Sequence, residues 1–269
     1  MNSTKSERVK QLIEQGVTSL VESLEQGKSD QLVAYLTAMA NFHHYSFRNI
    51  MLITMQFPDA TRVAGFRTWL KLGRHVKHGE KGILIIAPMF VKKSREHANA
   101  ETEQDVEKQL CFTAAHVFDV SQTEGEPLPE FARVEGDPSE FMPRLKHLIA
   151  EKGIALEYAD NLGGPEGLSA GLKIIVLNTL TPANEFSVLV HELAHEMLHK
   201  DERRKDTCRT VRETEAEAVA FIVSRAVGLQ TNSSASDYIQ LYDGTPETLQ
   251  ASLDAIRTAA SEIIEAITH

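Results

Sequence analysis

Between Phe186 and Lys200 the chain reads FSVLVHELAHEMLHK, with histidines at positions 191, 195 and 199. On a helix, His191 and His195 stand one turn apart on the same face, so both ring nitrogens can reach a single ion. Zinc accepts imidazole at about 2.0–2.1 Å, prefers four ligands, and keeps one position for water in a catalytic site. Glu192 follows the first histidine and projects beside that position, where a carboxylate can take a proton from water and return it to a leaving group. His199 lies one further turn along and reads as a helix-end residue favoured by the dipole rather than as a fourth ligand.

Two imidazoles do not complete such a site, so the motif requires a further donor on another element. The stretch RETEAEAVAF offers Glu213, Glu215 and Glu217. Glu213 and Glu217 share a helix face, whereas Glu215 points about 160–200° away at about 100° per residue. Glu213 is therefore the favoured ligand, and Glu217 the expected acceptor for the free N–H of a ligand histidine. Zn²⁺ is the expected ion, with Mn²⁺ or another divalent metal as substitute.

The elements that must position these groups can be read around them. Thr181 caps the motif helix and Pro182 occupies its first position. Upstream, IALEYA, GLSA and KIIVLN read as short strands. Downstream, DERRKD reads as an exposed loop, and TCRTVRETEAEAVAFIVSRAVG as a second long helix stopped by Gly228. Helical periodicity also marks VKQLIEQGVTSLVESLEQG and SDQLVAYLTAMANF, while RNIMLITMQF reads as a buried helix or strand ended by Pro58-Asp59. ILIIAP and QLCFTAAHVFDV read as an antiparallel pair around a charged excursion. The Gly/Pro/Glu-rich stretch after Ser121 is the natural boundary. The expected organisation is α+β in two domains. Residues 1–125 form an α+β module, 126–137 a linker, and 138–269 a mainly helical domain with a small antiparallel sheet.

Composition narrows the setting. The chain has 269 residues, 42% of them hydrophobic and 25% charged, as in a globular protein with a sizeable core. No apolar run approaches the roughly 18–20 residues of a membrane helix, and the polar N-terminus lacks a signal-peptide core. The two cysteines, Cys111 and Cys208, carry no argument for a disulfide, so a cytoplasmic location is expected. The net charge of −10 is unevenly spread, because residues 31–100 hold ten Lys/Arg against three acids. This segment can face a polyanion, while the acidic remainder would repel one.

Two stretches resemble one family. YSFRNIMLITMQFPDATRVAGFRTWLKLGRHVKHGEKG, with ILIIAP and VFDVSQTEGEPLP, resembles the N-terminal single-stranded DNA-binding domain of the ArdC antirestriction proteins. HELAHEMLH with RETEAEAVAF resembles their C-terminal metallopeptidase-like domain, related to the gluzincin-type ImmA/IrrE group. The family pattern, H-E-x-x-H plus a Glu followed by A-E or A-N three residues later, falls on Glu213 through Glu217, with Glu215 as the second choice of register. The resemblance implies single-stranded DNA as partner and protection of incoming plasmid or phage DNA from restriction. It also implies a zinc metalloendopeptidase site with a peptide substrate. Arg48, Arg67, Lys71, Arg74, Lys77 and Lys81 are the candidate phosphate contacts. Tyr45, Phe47, Phe66 and Trp69 are the candidate stacking rings; Tyr45 and Phe47 stand beside Ser46, Arg48 and Asn49, whereas the spacing of Phe66 and Trp69 beside Leu70 and Leu72 favours the core. Two rival readings are a DNA-binding protein with a structural or inactive metal site, and a regulatory metalloprotease that cleaves a repressor.

Overall fold

The computed structural model describes residues 2–26, 30–92, 108–126, 137–229 and 246–269. The charged excursion after Lys92 and the greater part of the Gly/Pro stretch lie outside the described residues. By internal contacts the chain divides into two units, residues 1–16 with 51–126 and residues 17–50 with 127–269. Two helices, α1 (Asn2–Glu25) and α3 (Phe47–Gln56), contribute residues to both. Residues 17–50, expected with the N-terminal module, thus group with the C-terminal part.

The first unit is built on β1 (Val63–Gly65), α4 (Phe66–Lys71), β2 (Arg74–Val76), β3 (Ile83–Lys92), β4 (Lys108–Asp119) and β5 (Thr123–Gly125). Strands β3 and β4 form the expected antiparallel ladder, from Ile83 opposite Val117 to Lys92 opposite Lys108, and β1 pairs with the other edge of β4. Strands β2 and β5 form a separate antiparallel ribbon. Alternate residues of the ladder meet the helices, so Leu84 packs with Val9 of α1 and Leu52 of α3, and Leu12, Ile13, Ile86 and Ala114 close around them. Asp119 is buried and ties the ladder's end, its carboxylate accepting from the amides of Thr61 at 2.8 Å, Arg62 at 2.9 Å and Ser121 at 2.9 Å.

The second unit holds α2 (Asp30–Asn41), α5 (Met142–Glu151), β6 (Ala155–Ala159), β7 (Gly167–Ser169), β8 (Lys173–Leu177), α6 (Pro182–Leu198), α7 (Asp201–Asp206), α8 (Arg209–Ala226) and α9 (Pro246–Thr268). Helix α8 is buried on almost every side from Thr214 to Ser224. An apolar circumference of that kind belongs to a central helix, and α2, α6 and α9 all pack on it. The contact of α2 with α8, and the bond from Ser261 Oγ to the His43 carbonyl at 3.1 Å, are why residues 17–50 group here.

Two expectations are corrected. DERRKD is the short helix α7, not a loop. The C-terminal sheet is mixed rather than antiparallel: β8 pairs antiparallel with β7 but parallel with β6, in the order β6-β8-β7. The chain reverses once before β7 and again before β8, which restores the direction of β6. Ile174 and Val176 of β8 are fully buried while their neighbours are partly exposed, the period of two that fixes the sheet on α6.

Candidate metal centre

Helix α6 begins as its sequence demands. The Thr181 hydroxyl accepts from the Asn184 amide at 3.3 Å, and Pro182 needs no amide partner in the first turn. Leu189, Val190, Leu193 and Ala194 bury the inner face, which leaves His191 and His195 at the edge of a cleft of about 810 Å³. Glu213, on the first half of α8, reaches the same point. His191 Nε2 lies 3.1 Å from His195 Nε2, and Glu213 Oε2 lies 3.7 and 3.4 Å from these two atoms. Donors held tetrahedrally by bonds of about 2.0–2.1 Å stand about 3.3–3.4 Å apart, so the triad fits zinc in both spacing and donor chemistry. Among the described residues these three form the group able to hold an ion.

The electrostatics follow from this crowding. Burial alone would lower the pKa of His191, but its bonds to Glu213 and Glu217 and the field of Glu192 outweigh burial and lift it to about 9. His195 is lowered to about 4, first by burial and then by the His191 charge. Glu213 is held at about 2, chiefly by its bond to His191. Glu192 is buried, and burial raises its carboxyl above the usual range. It accepts a backbone hydrogen bond from Ser169 of β7. A carboxyl raised in this way beside the triad has the basicity a proton carrier needs.

Glu217 Oε2 lies 3.3 Å from His191 Nδ1. Glu215 turns away from the triad. His199 ends α6, and it is buried, 2.9 Å from Glu215 and 3.0 Å from the His195 ring. The carboxylate of Glu215 is wholly buried and pairs on its other side with Arg203.

Two further residues were not legible in the sequence. Glu196 is buried and accepts from the amides of Gly171 at 3.1 Å and Leu172 at 2.9 Å, pinning the turn between β7 and β8. Leu172 is held there at φ 61°, a conformation that costs a branched side chain energy. Gly167 lets β7 press against α6, since a Cβ there would stand 2.5 Å from Val188 Cγ1 and 2.8 Å from Glu192 Oε1. The one signal was an acid on a buried helix face at Glu196, whose backbone partners lie 24 and 25 residues upstream.

Residues 3–118 match the N-terminal domain of anti-restriction factor ArdC. The chain also has the fold of ArdC from plasmid R388. The metal-free crystal structure of that protein superposes with a TM-score of 0.59 at 17% identity, covering 95% of this chain and 97% of that one. Its Mn(II)-bound structure gives 0.57 at 17% identity, covering 96% and 98%. An uncharacterized protein of Bacillus anthracis is 28% identical over 273 residues, covering 87% of this chain. The chain spans about half, 46%, of the length of that relative.

The ArdC-like N-terminal candidates separate into exposed and committed groups. Arg67, Lys71, Lys77 and Lys81 are exposed in the first unit, and Arg48 is exposed in the second. Lys77 also donates to the Ser121 carbonyl at 2.8 Å. Arg74 is corrected from phosphate contact to structural tie: its guanidinium bonds Thr123 Oγ1 at 2.9 Å and the carbonyls of Thr123, Gly125 and Glu126. Phe47 is corrected from stacking face to core, 4% exposed and edge-on to Tyr35 at 5.5 Å. Asn49 is buried as well, and Tyr45 is half-buried, edge-on to Phe42. The short polar residues around Phe47 misled, because a helix start alternates an inward ring with outward polar groups within one turn. Trp69 is buried as its spacing implies, donating from Nε1 to the Phe118 carbonyl at 2.9 Å. Phe66, expected in the core, is 50% exposed on α4 beside Arg67.

Proposed function

We propose that this chain is an ArdC-type antirestriction protein that binds single-stranded DNA through its N-terminal part and carries a divalent-metal hydrolytic centre of the ImmA/IrrE kind. The convergence of His191, His195 and Glu213 on one point, with Glu192 beside it, is the observation that carries the reading of the centre. These three residues would hold Zn²⁺ or, as in the Mn(II)-bound ArdC structure, Mn²⁺. When bound, such an ion supplies a Lewis acid that lowers the pKa of water toward neutrality.

The rest is done by the chain. Glu192 takes the proton from the attacking water and passes it to the leaving amine. Glu217 holds the His191 ring by its outer nitrogen. The edge strand β7, bordering the cleft, is suited to align an extended peptide through its main chain. In the N-terminal part, Arg67, Lys71 and Lys81 supply the cationic track and Phe66 a ring on which a base can stack. Among the described residues no helix is long and apolar enough to cross a membrane.

The deciding experiment is transformation of a restricting host that expresses the wild type or Glu192→Gln, with metal analysis of both proteins and of His195→Ala. The expected result is that Glu192→Gln keeps its metal and its oligonucleotide affinity but loses protection, while His195→Ala loses the metal. Full protection by Glu192→Gln would place the function in DNA binding and leave the metal structural.

A further inference from the structure

The cleft does not end at the triad. A second cavity, of about 550 Å³, is lined by residues 169–172, by His195 and Glu196 of α6, and by Lys200 and Arg204. Ser169, His195 and Arg204 line both spaces, so the two adjoin beside a metal-facing histidine. Strand β7 lies at the edge of its sheet and ends at Ser169, where the second cavity begins.

The charges along this path are sorted. Glu196 lines the second cavity, but its two carboxylate oxygens accept from the Gly171 and Leu172 amides. The cations there have no such commitment: Lys200 and Arg204 are exposed, and neither side chain bonds any described residue. Lys200 immediately precedes α7, and the Arg204 amide donates to its carbonyl at 3.4 Å, so the two side chains stand one turn apart. Helix α7 is fastened where they need it. Arg203 pairs with the buried Glu215, and Arg212 of α8 donates to the carbonyls of Arg204, at 3.0 Å, and of Thr207. Two unpaired cations beside a fully occupied carboxylate make this cavity electropositive. The first cleft is different, because Glu166, Glu192, Glu213 and Glu217 all line it.

We infer that the second cavity is a subsite for an acidic side chain, Asp or Glu, of an extended peptide, held by Lys200 and Arg204. The inference rests on the reading above that a peptide lies along β7 at the centre. A strand added to β7 alternates its side chains, so one close to the triad enters the space beyond Ser169. A carboxylate there meets an ammonium and a guanidinium, whereas a lysine would bring a third cation. Glu166 precedes β7 at its other end and opposes an acid there, which confines the preference to one position. The same acids disfavour a nucleic acid, whose regular phosphates would have to pass them. A peptide with a single acid matches the sorted charges.

The test uses the full chain loaded with Zn²⁺ and short fluorescein-labelled Ala/Ser peptides carrying one Glu, Gln or Lys, moved along the central positions. Anisotropy should show, at one position, Glu bound about fivefold more tightly than Gln, with Lys weakest. Added salt should shrink that difference. Combining Lys200→Glu with Arg204→Glu should reverse the order while the metal content stays that of the wild type. If the double variant does not fold, Lys200→Gln and Arg204→Gln should each lose part of the preference. Equal binding of the Glu and Gln peptides, binding of none of them, or a Glu preference that survives the double substitution would overturn the inference. An oligothymidylate that displaces the Glu peptide and loses its affinity in the double variant would assign the cations to phosphate and overturn it as well. Mass spectrometry of the same peptides separates this inference from the hydrolytic reading. A Glu preference without cleavage would remove hydrolysis and leave the subsite, and cleavage indifferent to Glu would remove the subsite and leave hydrolysis.

Discussion

Replacing Gly167 by alanine adds one carbon at the tightest contact between β7 and α6. That carbon would stand 2.5 Å from Val188 Cγ1, 2.8 Å from Glu192 Oε1 and 2.9 Å from Glu192 Cγ, each about 1 Å inside ordinary contact. Val188 is β-branched on a helix and has essentially one rotamer, so it cannot turn aside. The strand must lift, or Glu192 must leave the Ser169 amide that it accepts from. Overpacking of this kind costs about 1–3 kcal/mol. At about 2–4 °C per kcal/mol for a chain near this size, Tm should fall by about 2–12 °C. Gly65→Ala is the control, because an added carbon there meets nothing within 4 Å. Calorimetry gives the shift, and hydrogen exchange at Ser169 reports whether its amide has lost its acceptor. An unchanged Tm together with wild-type protection at Ser169 would refute the close approach and with it the placement of Glu192 against β7.

Three other outcomes follow from the same geometry. Phe47→Ala should destabilise the protein by about 3–5 kcal/mol in urea denaturation, as a buried ring does, with oligonucleotide affinity per folded molecule unchanged; a stable variant that binds poorly would restore Phe47 to the stacking face. Zn²⁺ binding should release about one proton at pH 7, because His191, held at about 9 without the ion, is charged before binding and neutral after it. Affinity should accordingly fall about tenfold per unit as pH drops from 8 to 6, and calorimetry in buffers of different ionisation enthalpy would expose a missing proton. Each of Arg67→Ala, Lys71→Ala and Lys81→Ala should lower the salt slope of single-stranded DNA binding by about 0.7, whereas Arg74→Ala should reduce stability instead.

The sequence by itself determined what depends on local period and local chemistry. One helical turn sets His191 and His195 side by side, and the same geometry separates Glu213 and Glu217 from Glu215. The Thr181-Pro182 start of α6 and the β3–β4 ladder are equally local, since a cap and an alternating strand carry their own signals. Only the tertiary structure decided the rest, because those features are fixed by partners distant in sequence. Phe47 and Phe66 exchange their expected places because burial depends on which helix or strand arrives opposite. Arg74 is drawn from solvent by carbonyls about 50 residues away. Glu196 closes on a turn upstream that no spacing rule connects to it. His199 is the sharpest case: helix geometry put it at the end of α6, but only the arrival of Glu215 from α8 and Arg203 from α7 gave that helix-end residue its buried partners. Short-range order is written in residue types one turn apart. The burial and reach of the groups at the site are written in the packing of α6, α7, α8 and β7.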